Sequence, residues 1–356
     1  MTSTTGASAP PPRPRPAEQP AGQPAGPPPP EQRRQPLRAS AWPVLPLAVL
    51  GWFAGLLPWL VRRSGGGTFG TPWNPRNDLR EALLPYQYQL LTLLLVVTVM
   101  AGVLAGLAPA WCTARRYRRP LLAAIATFGS LLAVAAAVAQ TMAPDPDLGG
   151  SGTTAEQVRL ALVALTVAGS LTGLVLGLVV SLAGPALRAV AAAPAVVVGA
   201  DWLGQLLLGA LHTSPPPSWL PTVLAAVSGA LVGLLLASTV RGVSTGNNAK
   251  PTATPTATVA AWLCALGLLV LTSAALTAAR YVLEALRGTS VRRAEVQELL
   301  TDSVQVFRGS VSSTLTAWGP LPSPALVGLL VAVIVGGAVA VWVRRTLPAA
   351  SGRPSD

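Results

Sequence analysis

Three polar side chains, Asp201, Gln205 and His212, recur on one face of an otherwise apolar stretch of the chain. Gln205 follows Asp201 by four residues and His212 follows it by eleven, and both spacings return to the same side of a helix. Carboxylate and imidazole groups bind cations and carry protons, and a carboxylate inside a membrane is costly unless it is paired, hydrated or protonated. A proton or cation path is one interpretation of this pattern. The alternative is a structural Asp201 that bonds a neighbouring helix, with His212 at the membrane interface.

Other chemical motifs are weaker. The tetrapeptide Ala226-Val227-Ser228-Gly229 resembles the Gly-x-Ser-Gly of rhomboid-like intramembrane serine proteases, but its first residue is alanine, and His212, the chain's one histidine, is its only available base. The sequence has no His-Glu-x-x-His, no Cys/His cluster and no nucleotide-binding glycine pattern. We therefore expect no catalytic residue, no metal and no cofactor. An intramembrane enzyme is a remote alternative.

The polar face around Asp201 lies in one of eight apolar stretches, each long enough to cross a hydrocarbon core of about 30 Å. Asp201 is the one charged residue that these stretches contain. The sequence therefore predicts an all-α membrane protein, a polytopic bundle of about eight transmembrane helices arranged as four outer-connected hairpins. The predicted helices cover residues 43–61, 89–111, 120–142, 160–184, 189–211, 220–240, 259–279 and 325–343.

The basic residues predict an orientation, because Lys and Arg are retained on the cytoplasmic side. With the N-terminus inside, the inner loops and tails hold most of the arginines and few acidic residues, whereas the outer connections are nearly neutral. Arg62 and Arg63, on the assigned outer side, oppose this trend. We expect a multi-pass protein of the plasma membrane with both termini in the cytoplasm. The net charge of +12 then indicates contact with anionic lipid and not with nucleic acid.

The segments outside the predicted bundle differ in character. Residues 1–41 are rich in Pro and poor in large apolar side chains, which predicts a disordered cytoplasmic tail, and 347–356 form a second short tail. The transmembrane domain spans 42–346, with an outer amphipathic segment at 280–323. There the spacing of apolar residues predicts a helix over 290–311 that lies along the interface, caps the bundle as a lid, or packs over it without a function. Its apolar stripe is Val296, Leu300, Val304, Phe307 and Val311.

Small residues at four-residue spacing predict close helix contacts in the second, fourth, sixth and eighth stretches, because lipid offers no hydrophobic drive for helix association. We expect these four helices at the centre of the bundle. The firmest packing positions are Gly102, Gly106, Gly169, Gly173, Gly177, Gly229 and Gly233.

Two interpretations of function follow from these features. The leading one is a non-enzymatic scaffold, assembly factor or complex subunit, because polar residues are nearly absent from the apolar stretches while close-packing positions abound. The alternative is a small secondary transporter or permease component that uses Asp201, with a small molecule or ion as its substrate. The expected partners are the lipid bilayer and a membrane protein or a second copy of the chain.

Overall fold

The computed structural model describes residues 41–64, 84, 90–111, 119–142, 153–211, 217–244, 255–288, 293–316 and 323–346. These residues are almost entirely α-helical, and no strand occurs among them. The predicted tails, 1–41 and 347–356, lie outside the described residues apart from residue 41. In chain order the helices are α1 Val44–Gly55, α2 Leu57–Ser64, α3 Leu91–Gly106, α4 Ala108–Trp111, α5 Arg119–Met142, α6 Thr153–Leu182, α7 Pro185–Leu211, α8 Leu220–Ser244, α9 Pro255–Gly288, α10 Arg293–Thr316 and α11 Pro324–Thr346.

Seven helical spans in the described ranges are long and apolar enough to cross a membrane. They are α3 with α4, α5, α6, α7, α8, α9 and α11, and each coincides with one of the predicted stretches from the second to the eighth. The chain is therefore a multi-pass α-helical membrane protein.

The first predicted stretch, 43–61, is two short helices and not one continuous helix. Pro58 has no N–H to donate to the carbonyl of Ala54, and the chain tightens there, so that the Leu56 N–H donates to the Phe53 carbonyl at 3.0 Å. The resulting α1 has 12 residues and is about 18 Å long, which is shorter than a hydrocarbon core. An eighth crossing by α1 and α2 together stays a prediction.

The tightest contacts join α3 to α6 and α8 to α11. A methyl group added at Gly173 of α6 would overlap the carbonyl oxygen of Val99 in α3, and one added at Gly177 would overlap that of Val103. A step of four residues toward the C-terminus of α6 therefore matches a step of four residues toward the C-terminus of α3. The two helices run parallel. The same four-residue step links α8 to α11, where Gly229 meets Gly328.

The remaining predicted packing glycines lie in the same two seams. Gly102 and Gly106 of α3 face the backbone of α6, and Gly169 of α6 faces the Thr98 hydroxyl of α3. Gly233 of α8 faces Ala332 of α11. The expectation that the four glycine-bearing helices form one central group is wrong, because in the described part of the chain they form two pairs whose backbones do not approach each other. When four helices carry similar stripes of small residues, the pattern does not indicate which of them form a pair.

Helix α7 joins the two pairs. It packs against α3 and α6 on one side and against α8 and α9 on the other. Its first half is rich in alanine, including Ala189, Ala192 and Ala193, which are buried. Small side chains allow several helices to approach one helix at once. Asp201 therefore lies on the helix that connects both halves of the bundle.

Helix α10 lies against α9, and it is not among the described helices that are long and apolar enough to cross a membrane. Helices α8 and α11 run parallel, and α9 between them runs in the opposite direction. If α10 also crossed the membrane, α11 would run in the same direction as α9 and antiparallel to α8. Phe307 and Val311 are half-buried, whereas Val304 is 49% exposed, and whether this helix lies along the interface or covers the bundle stays a prediction. Val296 and Leu300 lie outside the described side chains. Hydroxyl residues occupy much of the covered face, which the apolar pattern does not reveal.

Reporter tags inserted on either side of α9 test this topology. A tag after Gly246 precedes α9 and a tag after Gly288 follows it. We expect antibody to label the second tag on intact cells and the first only after permeabilisation, because the bias of basic residues predicts that α9 crosses the membrane from inside to outside. Labelling of both tags under the same condition would show that α9 does not cross.

Candidate functional site

Asp201 of α7 forms an ion pair with Arg280 of α9, in which Nη2 of Arg280 donates to Oδ1 of Asp201. The Asp201 side chain is 15% exposed and that of Arg280 is 43% exposed. The sequence pattern missed Arg280, because its apolar stretch ends at residue 279 and the arginine was assigned to the outer connection. In the structure α9 continues to Gly288, and this extension carries Arg280 on the helix opposite Asp201.

The pair leaves hydrogen-bonding capacity unused on both partners. Oδ2 of Asp201 is buried and accepts no hydrogen bond from any described residue. A guanidinium has five N–H donors and can pair with a carboxylate through two of them, but here only Nη2 contacts Asp201. A buried carboxylate oxygen without a donor costs about 1–3 kcal/mol or more. The pair therefore leaves one buried carboxylate oxygen of Asp201 without a donor among the described residues.

Both side chains line a polar cavity of about 300 Å³ between α7, α8, α9, α10 and α11. Asp201 and Arg280 are the ionisable residues among its described lining, and their charges cancel. Leu269, Leu276 and Leu224 supply apolar parts of the wall. The remaining polar lining consists of seven hydroxyl side chains, those of Ser228, Ser273, Thr277, Ser310, Ser313, Thr314 and Ser323.

The hydroxyl groups present acceptors to the cavity more than donors. Thr277 donates its hydroxyl hydrogen to the carbonyl of Ser273 at 3.0 Å. Ser313 and Thr314 both donate to the carbonyl of Ser310, at 3.0 and 2.8 Å. In each case the hydroxyl hydrogen is bonded within its own helix, and the lone pairs of the hydroxyl oxygen can still accept a hydrogen bond. A ligand that fits this wall therefore carries hydrogen-bond donors.

Local sequence explains why α11 begins at the cavity. Oγ of Ser323 accepts the backbone N–H of Leu326 at 3.2 Å, which is the usual bond of an N-cap serine. Pro324 follows at the first helical position, where its missing N–H has no intrahelical partner to lose. The cap thus fixes the start of α11 beside α10 and places Gly328 against the cavity wall.

Two of the three predicted polar residues, Asp201 and Gln205, lie in the described part of the chain, and they have different partners. Gln205 does not line the cavity; its Oε1 accepts from Nη2 of Arg62 in α2 at 3.3 Å. His212 lies outside the described residues. Asp201 pairs with α9 and Gln205 pairs with α2, and a path that includes His212 stays a prediction.

Ser228, the candidate nucleophile of the protease-like motif, lines the cavity as part of its wall. Its side chain is buried, and its hydroxyl donates to the carbonyl of Ala225 at 2.8 Å. Within the described ranges, no group of three or more Cys, His, Asp or Glu residues is arranged to hold a metal ion.

A second cavity, of about 340 Å³, lies on the other side of the contact between α7 and α8. Its lining is almost wholly apolar and includes Met100 of α3 and Val180 of α6. Ala200, Leu224 and Ser228 line both cavities, so one layer of side chains separates the two.

No protein-family model matches the chain, and neither the curated proteins nor the solved structures include a significant match to it. The helices and the cavity therefore define the protein by class alone. It is a multi-pass α-helical membrane protein with a polar cavity among its helices.

Proposed function

We propose that this chain is a non-enzymatic membrane protein that binds a small polar solute in the cavity around Asp201 and Arg280, as a small secondary transporter or permease component does. The observation that carries the proposal is an ion pair in a polar cavity between five helices, in which Oδ1 of Asp201 is paired with Arg280 and Oδ2 has no partner among the described residues. Transporters place polar groups of this kind between membrane helices and bind their substrates there. This is the alternative interpretation of the sequence, and the cavity favours it over the leading one.

The energetics of the site support binding over a purely structural role. A charge pair removed from water gains little net stability, and well-packed apolar side chains often stabilise a fold more. Seven hydroxyl groups around a cavity also forgo the close packing that stabilises a membrane bundle. A bundle that only holds other proteins together has no need of such a cavity.

The scaffold or complex-subunit interpretation remains the second candidate, and the two glycine seams favour it. Backbone contacts between α3 and α6 and between α8 and α11 make each pair a close-packed unit. Such units suit a rigid platform for a membrane-protein partner or a second copy of the chain. Residence in the plasma membrane with both termini in the cytoplasm belongs to either proposal, and the bias of basic residues toward one side supports it.

Access of water to the cavity distinguishes the two candidates. Ser273 and Leu271 lie two residues apart on α9, but Ser273 lines the cavity while Leu271 is exposed on the apolar surface of the bundle. In a background with Cys112 and Cys264 replaced by alanine, we expect Ser273→Cys to react with a charged, water-soluble thiol reagent and Leu271→Cys not to react. A thiol in hydrocarbon does not ionise, and the thiolate is the reactive form. An unreactive Ser273→Cys, in protein that is correctly inserted, would contradict the ligand-binding proposal and favour the scaffold.

A further inference from the structure

The apolar cavity between α3, α6, α7 and α8 is a cleft that opens on the side of the bundle. Its floor consists of buried side chains such as Val103 and Ala192. At its rim, Leu203 of α7 is 36% exposed, and Val227 and Leu231 of α8 are 45% and 47% exposed. Because α7 and α8 are membrane-spanning helices, their exposed apolar side chains face hydrocarbon. The apolar cleft therefore opens toward the bilayer interior.

The polar side chains in the lining of the cleft have no free hydrogen-bond donor. The hydroxyl of Ser228 donates to the carbonyl of Ala225 at 2.8 Å. Nε1 of Trp202 donates to the carbonyl of Gly55 at 2.7 Å. An apolar cavity does not hold water and takes an apolar ligand. The part of a ligand that fits the cleft is therefore a hydrocarbon.

Gly199 of α7 leaves space in the cleft that close helix packing does not require. A methyl group added there would meet only the end of the Met100 side chain, at 3.7 and 3.8 Å, which is ordinary contact. At Gly173, by contrast, the added group would overlap a neighbouring backbone. Glycine within a helix costs about 1 kcal/mol relative to alanine. A glycine at this position is typical of a site where a ligand occupies the space.

Arg188 lies at one end of the cleft. The lining on α7 extends from Ala192 to Leu203, about 16 Å at 1.5 Å per residue, which is about half of a hydrocarbon core and so one leaflet. Arg188 precedes Ala192 by four residues and shares its helix face. Nη2 of Arg188 donates to the carbonyl of Ala183 at 3.3 Å, three residues after Val180 of the lining. The guanidinium is thus about one turn from the lining on both α6 and α7.

The charge at this end of the cleft favours an anionic headgroup. Arg188 is exposed, and a guanidinium has five N–H donors, so it can bind a phosphate in addition to the carbonyl. No acidic residue occurs from 171 to 200, so nothing in this part of α6 and α7 pairs with a headgroup cation. The bias of basic residues predicts that this end faces the cytoplasm, where anionic lipids attract arginine.

From the shape, lining and charge of the cleft we infer that it binds one acyl chain of an anionic phospholipid of the inner leaflet, with the headgroup phosphate on Arg188. The hydrocarbon chain lies along α7 past Gly199. This lipid site is separate from the polar cavity around Asp201 and Arg280, and it does not depend on the proposed solute binding.

The test counts the phospholipids that stay bound to the full chain, by native mass spectrometry. The protein is equilibrated in micelles with equal amounts of phosphatidylglycerol and phosphatidylcholine that have the same acyl chains, and is then released from detergent. We expect one phosphatidylglycerol to stay bound, with a preference of about fivefold over phosphatidylcholine, which is the effect of one arginine near an anionic headgroup. Glycerol 3-phosphate, which has no acyl chain, should not displace it.

Two glycine variants localise the acyl chain. Gly199→Leu should lower the bound phosphatidylglycerol about tenfold, because the new side chain overfills the cleft. Gly267→Leu is the matched control, since a Cβ at Gly267 of α9 meets no atom within 4 Å. The unfolding midpoint in lipid-free micelles shows whether each variant folds. If Gly199→Leu does not fold, Val227→Trp narrows the rim instead, with the equally exposed Val223→Trp, outside the cleft, as its control.

Two arginine variants localise the headgroup. Arg188→Gln should abolish the preference for phosphatidylglycerol over phosphatidylcholine, because it removes the charge that binds the anionic headgroup. Arg345→Gln removes the same charge from an exposed position on α11, a helix that does not line the cleft, and should keep the preference.

Three results would overturn the inference. The first is that no phosphatidylglycerol stays bound, or that both lipids stay bound equally. The second is that the cleft variant binds as much lipid as its control. The third is that Arg345→Gln lowers the preference as much as Arg188→Gln, which would indicate attraction by the net charge of the protein. None of these results bears on the polar cavity, which the reactivity of Ser273→Cys tests.

Discussion

Alanine at Gly173 is expected to destabilise the folded protein by about 1–3 kcal/mol, the usual cost of overpacking a tight core. The added methyl group would overlap the carbonyl oxygen of Val99, which is backbone and cannot rotate away. Relief therefore requires α3 and α6 to separate along their whole contact, which also involves Gly102 and Gly177. The free energy of unfolding in mixed detergent micelles measures the effect.

Gly267 of α9 supplies the matched control, because a methyl group added there meets no atom within 4 Å. Gly267→Ala should be neutral or gain up to about 1 kcal/mol from the better helix propensity of alanine. The second seam permits the same comparison, with Gly229→Ala as the damaging change and Gly337→Ala as its control. Equal effects of Gly173→Ala and Gly267→Ala would refute the close approach of α3 to α6.

Loss of Arg280 is expected to be more harmful than loss of Asp201. Arg280→Leu leaves the more buried partner, Asp201, with neither oxygen paired to a described residue. Breaking a buried pair in this way costs about 3–5 kcal/mol, and the partial exposure of Arg280 reduces the expected loss to about 2–3 kcal/mol. Asp201→Leu should cost less, because the long side chain of Arg280 can extend its guanidinium to water.

Asp201→Asn refines this second prediction. Asparagine keeps the shape and an acceptor oxygen for Arg280 but removes the charge, so its stability should lie between that of the unmodified protein and that of Asp201→Leu. The measurement is again the free energy of unfolding, with insertion into the membrane checked for each variant. A larger loss for Asp201→Leu than for Arg280→Leu would contradict the assignment of Asp201 as the desolvated partner.

The membrane class and the location of Asp201 could be predicted from the sequence, but the partner of Asp201 could not. Length and apolar composition are sufficient to locate helices that cross a membrane. A search for apolar composition ends a predicted span at its first charged residue, which is Arg280 in α9. The helix itself continues past that residue. Residues 281–288 of α9 include Leu, Ala, Glu and Arg, which favour helix and extend it past Arg280.

The polar cavity could not be predicted from the sequence for a related reason. Ser310, Ser313 and Thr314 lie at or beyond the end of the helix predicted over 290–311, and no pattern in the sequence indicates that all three line the cavity under α10. Hydrophobic periodicity assumes that the covered face of a helix is apolar, and that assumption fails where the covered face borders a polar site. Small residues at four-residue spacing indicate positions of close helix contact, but similar spacings on four helices do not indicate which two helices pair.

The coupling free energy between positions 201 and 280 tests the central claim, that an ion pair between α7 and α9 organises the polar site, most directly. Unfolding free energies of the unmodified protein, Asp201→Leu, Arg280→Leu and the double variant complete the cycle. The account predicts that the double variant is more stable than Arg280→Leu, with a coupling energy of about 1–3 kcal/mol, because the second change removes the unpaired carboxylate. Additivity of the two single changes to within about 0.5 kcal/mol would contradict it, because residues that do not interact give that result.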